Sequence, residues 1–161
     1  MTRINLKFQE FDLAINTARL RMAVSIASGL NAGNKVRGRT WLKRLYEEVI
    51  GVCGEIAVAK MGGFYFIPGL NEFHHVPDVF KDVEVRSTDR EEGCLIIRDN
   101  DVPGRRFILA IVSGNDVTLA GWIYGENGMK DEYLRNPNNH SQAWFVPKHK
   151  LSPMEMFKVT P

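Results

Sequence analysis

The chain has 161 residues, of which 44% are hydrophobic, and its 21 lysines and arginines against 19 acidic residues give a formal net charge of +2. This length and composition predict one domain with a buried core that needs no disulfide or structural metal, and they argue against a disordered chain. Because the net charge is close to zero, only local clusters of charge can indicate a nucleic-acid partner.

The N-terminal segment and the hydropathy pattern predict a cytoplasmic protein. The first residues lack the continuous apolar core and the small-residue cleavage site of a signal peptide. No uninterrupted apolar run approaches the roughly 18 residues that span a bilayer, so we expect no membrane contact. Cys53 and Cys94 lie far apart in two apolar runs, which favours two buried thiols over a disulfide and indicates a reducing compartment.

Two amphipathic helices are predicted in the first part of the chain. Apolar residues recur at spacings of three and four over 10–28 and again over 41–61. Gly29 is the expected C-terminal stop of the first helix, and Thr40 is the expected N-cap of the second.

A basic, glycine-rich segment joins these helices. Together with the start of the second helix it carries five cations and no acid within ten residues. Such a segment suits a phosphate backbone, and a solvated linker is the equally weighted alternative. The residues concerned are Lys35, Arg37, Arg39, Lys43 and Arg44.

Glu55 lies on the second helix among small residues, with Gly51, Gly54 and Ala59 around it. A glycine inside a helix costs about 0.5–1 kcal/mol relative to alanine, which indicates a packing or functional reason for the glycines. Either a sheet edge or a phosphate approaches Glu55 closely, or the glycines serve helix packing and Glu55 is a boundary residue.

Strand patterns follow the second helix and predict an α+β fold with an α/β core. We expect a central mixed, largely antiparallel sheet of about five strands packed against the N-terminal helices. The expected strands are 64–67, a hairpin of 83–88 with 94–97, an antiparallel pair of 107–112 with 117–124, and a last strand at 143–147.

The segment 77–88 combines a Pro-Asp pair with a charged strand. Residues two apart in a strand share a face, so Glu84 and Arg86 point one way while Val83 and Val85 point the other. Asp78, on the preceding loop, can reach the charged face. Two convergent carboxylates are what a hard cation such as Mg²⁺ prefers, so the segment predicts a metal-dependent phosphodiesterase site.

Taken in order, a helical Glu55, the Pro77-Asp78 pair and the strand motif Glu84-x-Arg86 resemble the PD-(D/E)xK nuclease superfamily. The stretches 119–123 and 143–147 are also similar to the closing strands of small phage-encoded members. The resemblance covers roughly residues 45–150. It implies a single restriction-endonuclease-like domain over 1–161, with a nuclease-like core at 41–150 and a helical N-terminal extension and basic loop at 1–40.

The resemblance also implies roles for individual residues. Asp78 and Glu84 would ligate Mg²⁺ or Mn²⁺ with the carbonyl of Val85 assisting, and Glu55 would complete the shell directly or through water. Arg86 stands where the family usually has Lys. Because Arg stays protonated near pH 7 it cannot act as a base, but it can clamp the developing phosphoryl charge, while the metal supplies hydroxide.

Three functions remain open from the sequence. The first is a Mg²⁺-dependent DNA endonuclease of phage or mobile-element type, working in the host cytoplasm, whose five clustered cations hold the DNA backbone. The second is a catalytically inactive DNA-binding or interaction protein on the same fold, acting in packaging, recombination or inhibition of host defence. The third is a structural phage or interaction protein in which 77–88 is an ordinary charged strand.

Some features of the sequence leave alternatives. Palindromic cutting would need a two-fold homodimer, and the N-terminal helix serves equally well as its surface or as core. His74 and His75 lack partners at zinc-ligand spacing, so we expect them at the surface or near phosphate. The charged turn at 98–106 has a position that allows DNA contact, but we expect a solvated turn.

Overall fold

In the computed structural model, residues 1–28, 40–69, 78–80, 82–135 and 142–159 are described. Two long helices, α1 (Phe8–Ala27) and α2 (Trp41–Met61), confirm both predicted helices, the second at both of its ends. The side chain of Thr40 accepts a hydrogen bond from the backbone N–H of Lys43 at 3.2 Å, which confirms the predicted N-cap.

The described strands form two sheets, one of four strands and one of three. In chain order the strands are β1 (Thr2–Asn5), β2 (Val83–Thr88), β3 (Leu95–Arg98), β4 (Arg106–Ser113), β5 (Asp116–Tyr124), β6 (Leu134–Arg135) and β7 (Ala143–Val146).

The first sheet has the order β1-β5-β4-β2 and is mixed. β1 and β4 both run antiparallel to β5, as expected for the β4–β5 pair, whereas β2 runs parallel to β4. β1 was not expected from the sequence. The α+β class is therefore confirmed, with a mostly antiparallel mixed sheet covered by α1 and α2, while the restriction-endonuclease-like assignment stays a prediction.

The predicted hairpin of 83–88 with 94–97 is wrong. β3 pairs antiparallel with β7 in the second sheet, whose order is β3-β7-β6. Leu95 and Ile97 are buried while Ile96 and Arg98 are exposed, so β3 has one apolar face. That face packs with Phe107 in a separate core. A small sheet with one solvated side can bury this face of β3, whereas a hairpin partner of β2 could not.

The predicted strand at 64–67 is also wrong, because these residues pair with no strand of the described chain. Tyr65 and Ile67 are 98% and 84% exposed. Phe64 instead packs edge-on against the ring of Phe80, with 5.2 Å between the ring centroids. Aromatic residues favour strands, but a strand also needs a neighbouring strand to pair with. Among the described residues, no strand pairs with 64–67.

Two apolar cores lie on opposite faces of the first sheet. The core under the helices contains Val83 and Val85 of β2, and the core between the two sheets contains Phe107 and Leu109 of β4. The expected alternation of β2 is therefore confirmed, because Glu84 and Arg86 leave the apolar face free. Glu84 lies opposite Phe107 in the parallel register, so the charged face of β2 looks toward the second sheet.

Both cysteines are free thiols, as expected, but only Cys53 is buried and Cys94 is half-buried. Within the described ranges, no helix is both long enough and apolar enough to cross a membrane.

Candidate active site

Three predicted acidic residues lie on α2, β2 and the segment that precedes β2: Glu55 on α2, Glu84 on β2, and Asp78 beside β2. Burial raises the pKa of Glu55, Asp78 and Glu84. The charge of Glu55 also raises the pKa of Asp78, and the charge of Asp78 raises that of Glu84. Each of the three carboxylates is therefore partly withdrawn from water and is raised in pKa by the charge of another acid.

Asp78 is fixed against the free edge of β2. Its Oδ2 accepts a hydrogen bond from the backbone N–H of Val85 at 2.8 Å, and the N–H of Val79 donates to the carbonyl of Val83 at 3.2 Å. In a strand the N–H and C=O of one residue point to the same side. The carbonyl of Val85 therefore faces the edge where Asp78 lies, and its role as a metal ligand stays a prediction. Pro77 lies outside the described residues.

Glu84 is held by two arginines. Nη1 of Arg86 lies 3.3 Å from Oε2 of Glu84, and Nη1 of Arg105 donates a short hydrogen bond to Oε1. Arg86 lowers the pKa of Glu84 and Arg105 does the same, but burial and Asp78 outweigh them. The Glu84 carboxylate is thus compensated by side chains of this chain.

Arg86 is fixed by groups on both sheets. Its Nη2 lies 2.8 Å from each carboxylate oxygen of Asp101, and its Nε donates to the carbonyl of Ile96 at 3.2 Å. The guanidinium carbon also lies 5.4 Å from the ring centroid of Phe107. These contacts hold the guanidinium in one orientation beside Glu84.

The turn at 98–106 joins the site, so the expectation that it is solvated is wrong for two of its residues. The side chains of Asp101 and Arg105 are only 5% and 13% exposed. Sequence reasoning missed both as site residues. The sequence did contain one signal for these site residues, namely the many charges of both signs at 98–106, directly after a buried strand.

Glu55 lies on α2, behind the sheet, and is neutralised by an arginine of α1. Nη1 and Nη2 of Arg21 each donate to one oxygen of Glu55 at 2.8 Å, and Nε donates to the carbonyl of Gly69 at 2.8 Å. Glu55 is 6% exposed. Arg21 is a further residue that the sequence did not reveal, because nothing local distinguishes it from Arg19, the exposed arginine two positions earlier on α1.

Gly54 explains how Glu55 comes so close to β2. A Cβ added at Gly54 would meet Ser87 Oγ at 2.0 Å and the Cβ of Ala110 at 3.0 Å. The sheet therefore approaches the helix backbone here, which is one of the two explanations expected for the small residues. At Gly51 an added Cβ meets nothing within 4 Å, so its absence has no steric reason.

No described group of three or more His, Cys, Asp or Glu side chains is arranged to hold a metal ion. What the edge of β2 does offer is oxygen: the carboxylates of Asp78 and Glu84 and the carbonyl of Val85. This donor set fits Mg²⁺ in kind, because Mg²⁺ commonly takes one or two carboxylates and keeps several waters. Each oxygen of Glu55 accepts a hydrogen bond from Arg21, and each oxygen of Glu84 accepts one from Arg86 or Arg105. Direct ligation of a metal by either residue would therefore compete with an arginine.

No family model, curated protein or solved structure matches this chain.

The predicted DNA-binding cations are only partly described. Lys35, Arg37 and Arg39 lie outside the described residues, as do His74 and His75. Lys43 is exposed and Arg44 is half-buried, and both lie in the first turn of α2.

The first turn of α2 lies near the C-terminal end of β2, because the hydroxyl of Tyr46 donates to Asp89 at 3.1 Å. From Arg44 to Glu55 the helix rises by about 17 Å, at 1.5 Å per residue. Lys43 and Arg44 are therefore separated from Glu55 by most of the length of the six-residue strand β2.

Proposed function

We propose that this protein is a metal-dependent DNA nuclease of phage or mobile-element type. One observation carries the proposal: Asp78 is held by the Val85 N–H at the edge of β2, next to Glu84, and burial raises the pKa of both carboxyl groups. The charge of Glu55 further raises the pKa of Asp78, and the charge of Asp78 raises that of Glu84. Like charges held together out of water destabilise a fold, so their presence favours a functional site.

The residues of the site have separable roles in this proposal. A Mg²⁺ ion held by Asp78, Glu84 and the Val85 carbonyl would supply a Lewis acid and an activated water. The Val85 N–H orients Asp78 for that role. Arg86 and Arg105 present guanidinium groups where phosphoryl oxygens gain charge, and Arg86 is already oriented by Asp101.

A second candidate function is supported by the same arginines. Arg86 and Arg105 both pair with Glu84, so the carboxylate is compensated without any cation from solution. A protein that has kept the fold and the DNA surface but lost turnover would show this arrangement. It would bind DNA without cutting it.

The two candidates are separated by incubating supercoiled plasmid with the protein in Mg²⁺ or Mn²⁺. The variants are Asp78→Asn and Glu84→Gln, which keep the shape of each side chain, and the control is the exposed Glu126→Gln. The nuclease is supported if the wild type and the control nick the plasmid and both site variants do not. Salt-sensitive DNA binding without cleavage supports the inactive binder, and loss of both binding and cleavage contradicts both candidates.

A further inference from the structure

A groove of about 440 Å³ lies between the C-terminal half of β2 and the second sheet. We propose that it binds one nucleotide of a single DNA strand, next to the phosphate that the carboxylate centre would cleave. This inference rests on the proposed nuclease function, because it names the form of DNA on which the nuclease would act.

The groove begins at the candidate active site. Arg86 lines it and also contacts Glu84, while its Nε donates to the carbonyl of Ile96, another lining residue. A strand whose phosphate lies beside Glu84 would therefore place its neighbouring nucleotide in this groove.

Two arginines provide positive charge along the groove. Arg90 and Arg98 both line it, both are exposed, and their side chains make no hydrogen bond or ion pair with the described part of the chain. The one acid in the lining, Glu92, is 88% exposed and lies 3.4 Å from Lys148. Guanidinium groups that have no protein partner are available to phosphate oxygens.

The floor of the groove is apolar. Ile96 and Phe145 are directly opposite each other in the antiparallel register of β3 and β7, on the face that points away from the inter-sheet core. Ile96 is 36% exposed and Phe145 is half-buried. An aromatic ring that lines the same groove as guanidinium groups is the combination on which single-stranded bases stack.

The size of the groove selects the ligand. A volume of this magnitude holds a ligand of small-molecule size, so one nucleotide fits and a duplex does not. A base can enter only if it is unpaired or extruded, which favours single-stranded substrates, ends or flaps.

The first test measures binding of a short fluorescent oligothymidylate and of a matched duplex by anisotropy over a salt series. We expect Arg90→Gln/Arg98→Gln to weaken oligothymidylate binding about tenfold and to reduce the salt slope by about 1.4, since each phosphate contact on a single strand contributes about 0.7. Phe145→Ala should weaken it about tenfold without changing the slope. The control Arg3→Gln/Arg19→Gln removes the same charge from exposed positions elsewhere and should leave binding unchanged.

The second test uses the two native thiols. Cys94 lines the groove, whereas Cys53 is buried and burial raises its pKa to about 11. Bound oligothymidylate should slow the modification of Cys94 by a thiol reagent while Cys53 stays unreactive. The measurement is made with Asp78→Asn/Glu84→Gln protein, so that no cleavage occurs during labelling.

The outcomes separate this inference from the proposed function. Oligothymidylate binding and Cys94 protection, together with a wild type that never cleaves, would support the groove and contradict the nuclease. Cleavage by the wild type with neither Cys94 protection nor an effect of the Arg90 and Arg98 changes would support the nuclease and overturn the groove. The groove proposal is also overturned if the Arg90 and Arg98 changes weaken duplex binding as much as oligothymidylate binding. It is likewise overturned if an acidic peptide displaces the fluorescent oligothymidylate as well as unlabelled oligothymidylate does. Either result would show a surface that binds any anion.

Discussion

Nη2 of Arg86 lies 2.8 Å from both carboxylate oxygens of Asp101, so a residue on β2 is tied to the turn that leads into β4. Asp101 Oδ2 also accepts the backbone N–H of Arg98 at 2.8 Å. One buried carboxylate therefore orients the guanidinium beside Glu84 and closes the turn. This explains why a turn rich in charge is ordered against the site.

Replacing Asp101 by alanine should destabilise the protein by about 2–4 kcal/mol, because it leaves the largely buried Arg86 guanidinium and the Arg98 N–H without their acceptor. The free energy of unfolding is measured by denaturant titration. The matched control is Asp99→Ala, an exposed aspartate two positions earlier, which should change stability by less than about 0.5 kcal/mol. Equal effects at the two positions would contradict the role given to Asp101.

Gly54→Ala should destabilise the protein by about 1–3 kcal/mol, because the new methyl group overlaps Ser87 Oγ and pushes α2 away from β2. Gly51→Ala, one turn earlier on the same helix, should stabilise it by about 0.5–1 kcal/mol, because its Cβ meets nothing and alanine favours helix. Thermal unfolding of both variants gives the comparison. If both changes had the same sign, the close approach of sheet and helix at Gly54 would be wrong.

Asp78→Asn should stabilise the protein at neutral pH. Burial and the charge of Glu55 raise the pKa of Asp78, so the folded state binds its proton more tightly than the unfolded chain does. The wild type consequently loses stability as the pH rises through the raised pKa, and asparagine avoids that loss. The gain should disappear below the ordinary aspartate pKa of about 3.9, where Asp78 is protonated in both states.

The measurement is the difference in Tm between Asp78→Asn and the wild type across this pH range, with a chelator present. A gain of about 2–4 °C at neutral pH corresponds to a stabilisation near 1 kcal/mol for a chain of this size. The exposed Asp99→Asn serves as the control. A Tm difference that does not vary with pH would contradict the buried, charge-coupled environment of Asp78.

Arg21 and Glu55 should be energetically coupled. Their side chains are 22% and 7% exposed, so Arg21→Met or Glu55→Gln alone leaves a largely buried charge uncompensated and should cost about 2–4 kcal/mol. A double-mutant cycle in denaturant should give a coupling of about 1–3 kcal/mol.

The same cycle on Arg3 and Asp116 is the control for the Arg21 and Glu55 pair. These side chains are 72% and 32% exposed, so their coupling should stay below about 1 kcal/mol. Comparable coupling energies in the two pairs would mean that the burial of Glu55 does not strengthen its interaction with Arg21.

The helices and the alternation of β2 could be predicted because both depend on local spacing. Apolar residues at intervals of three and four place α1 and α2 without knowledge of any partner, and Thr40 caps α2 through a neighbouring N–H. The nearness of Asp78 to β2 was also predictable, since only a few residues separate them. The acidic residues of the candidate site follow from this local information and from the resemblance to a nuclease family.

Tertiary structure alone decided which strands pair and which charges meet. The sequence pattern of β3 suits either a hairpin with β2 or a second sheet, and only burial of Leu95 and Ile97 against Phe107 selects the second. Arg21, Asp101 and Arg105 reach the carboxylates from distant parts of the chain, and no local pattern distinguishes a buried arginine from a solvated one. Pairing and burial depend on which surfaces the whole chain leaves open, so the partners of Arg86 could be read only from the folded molecule.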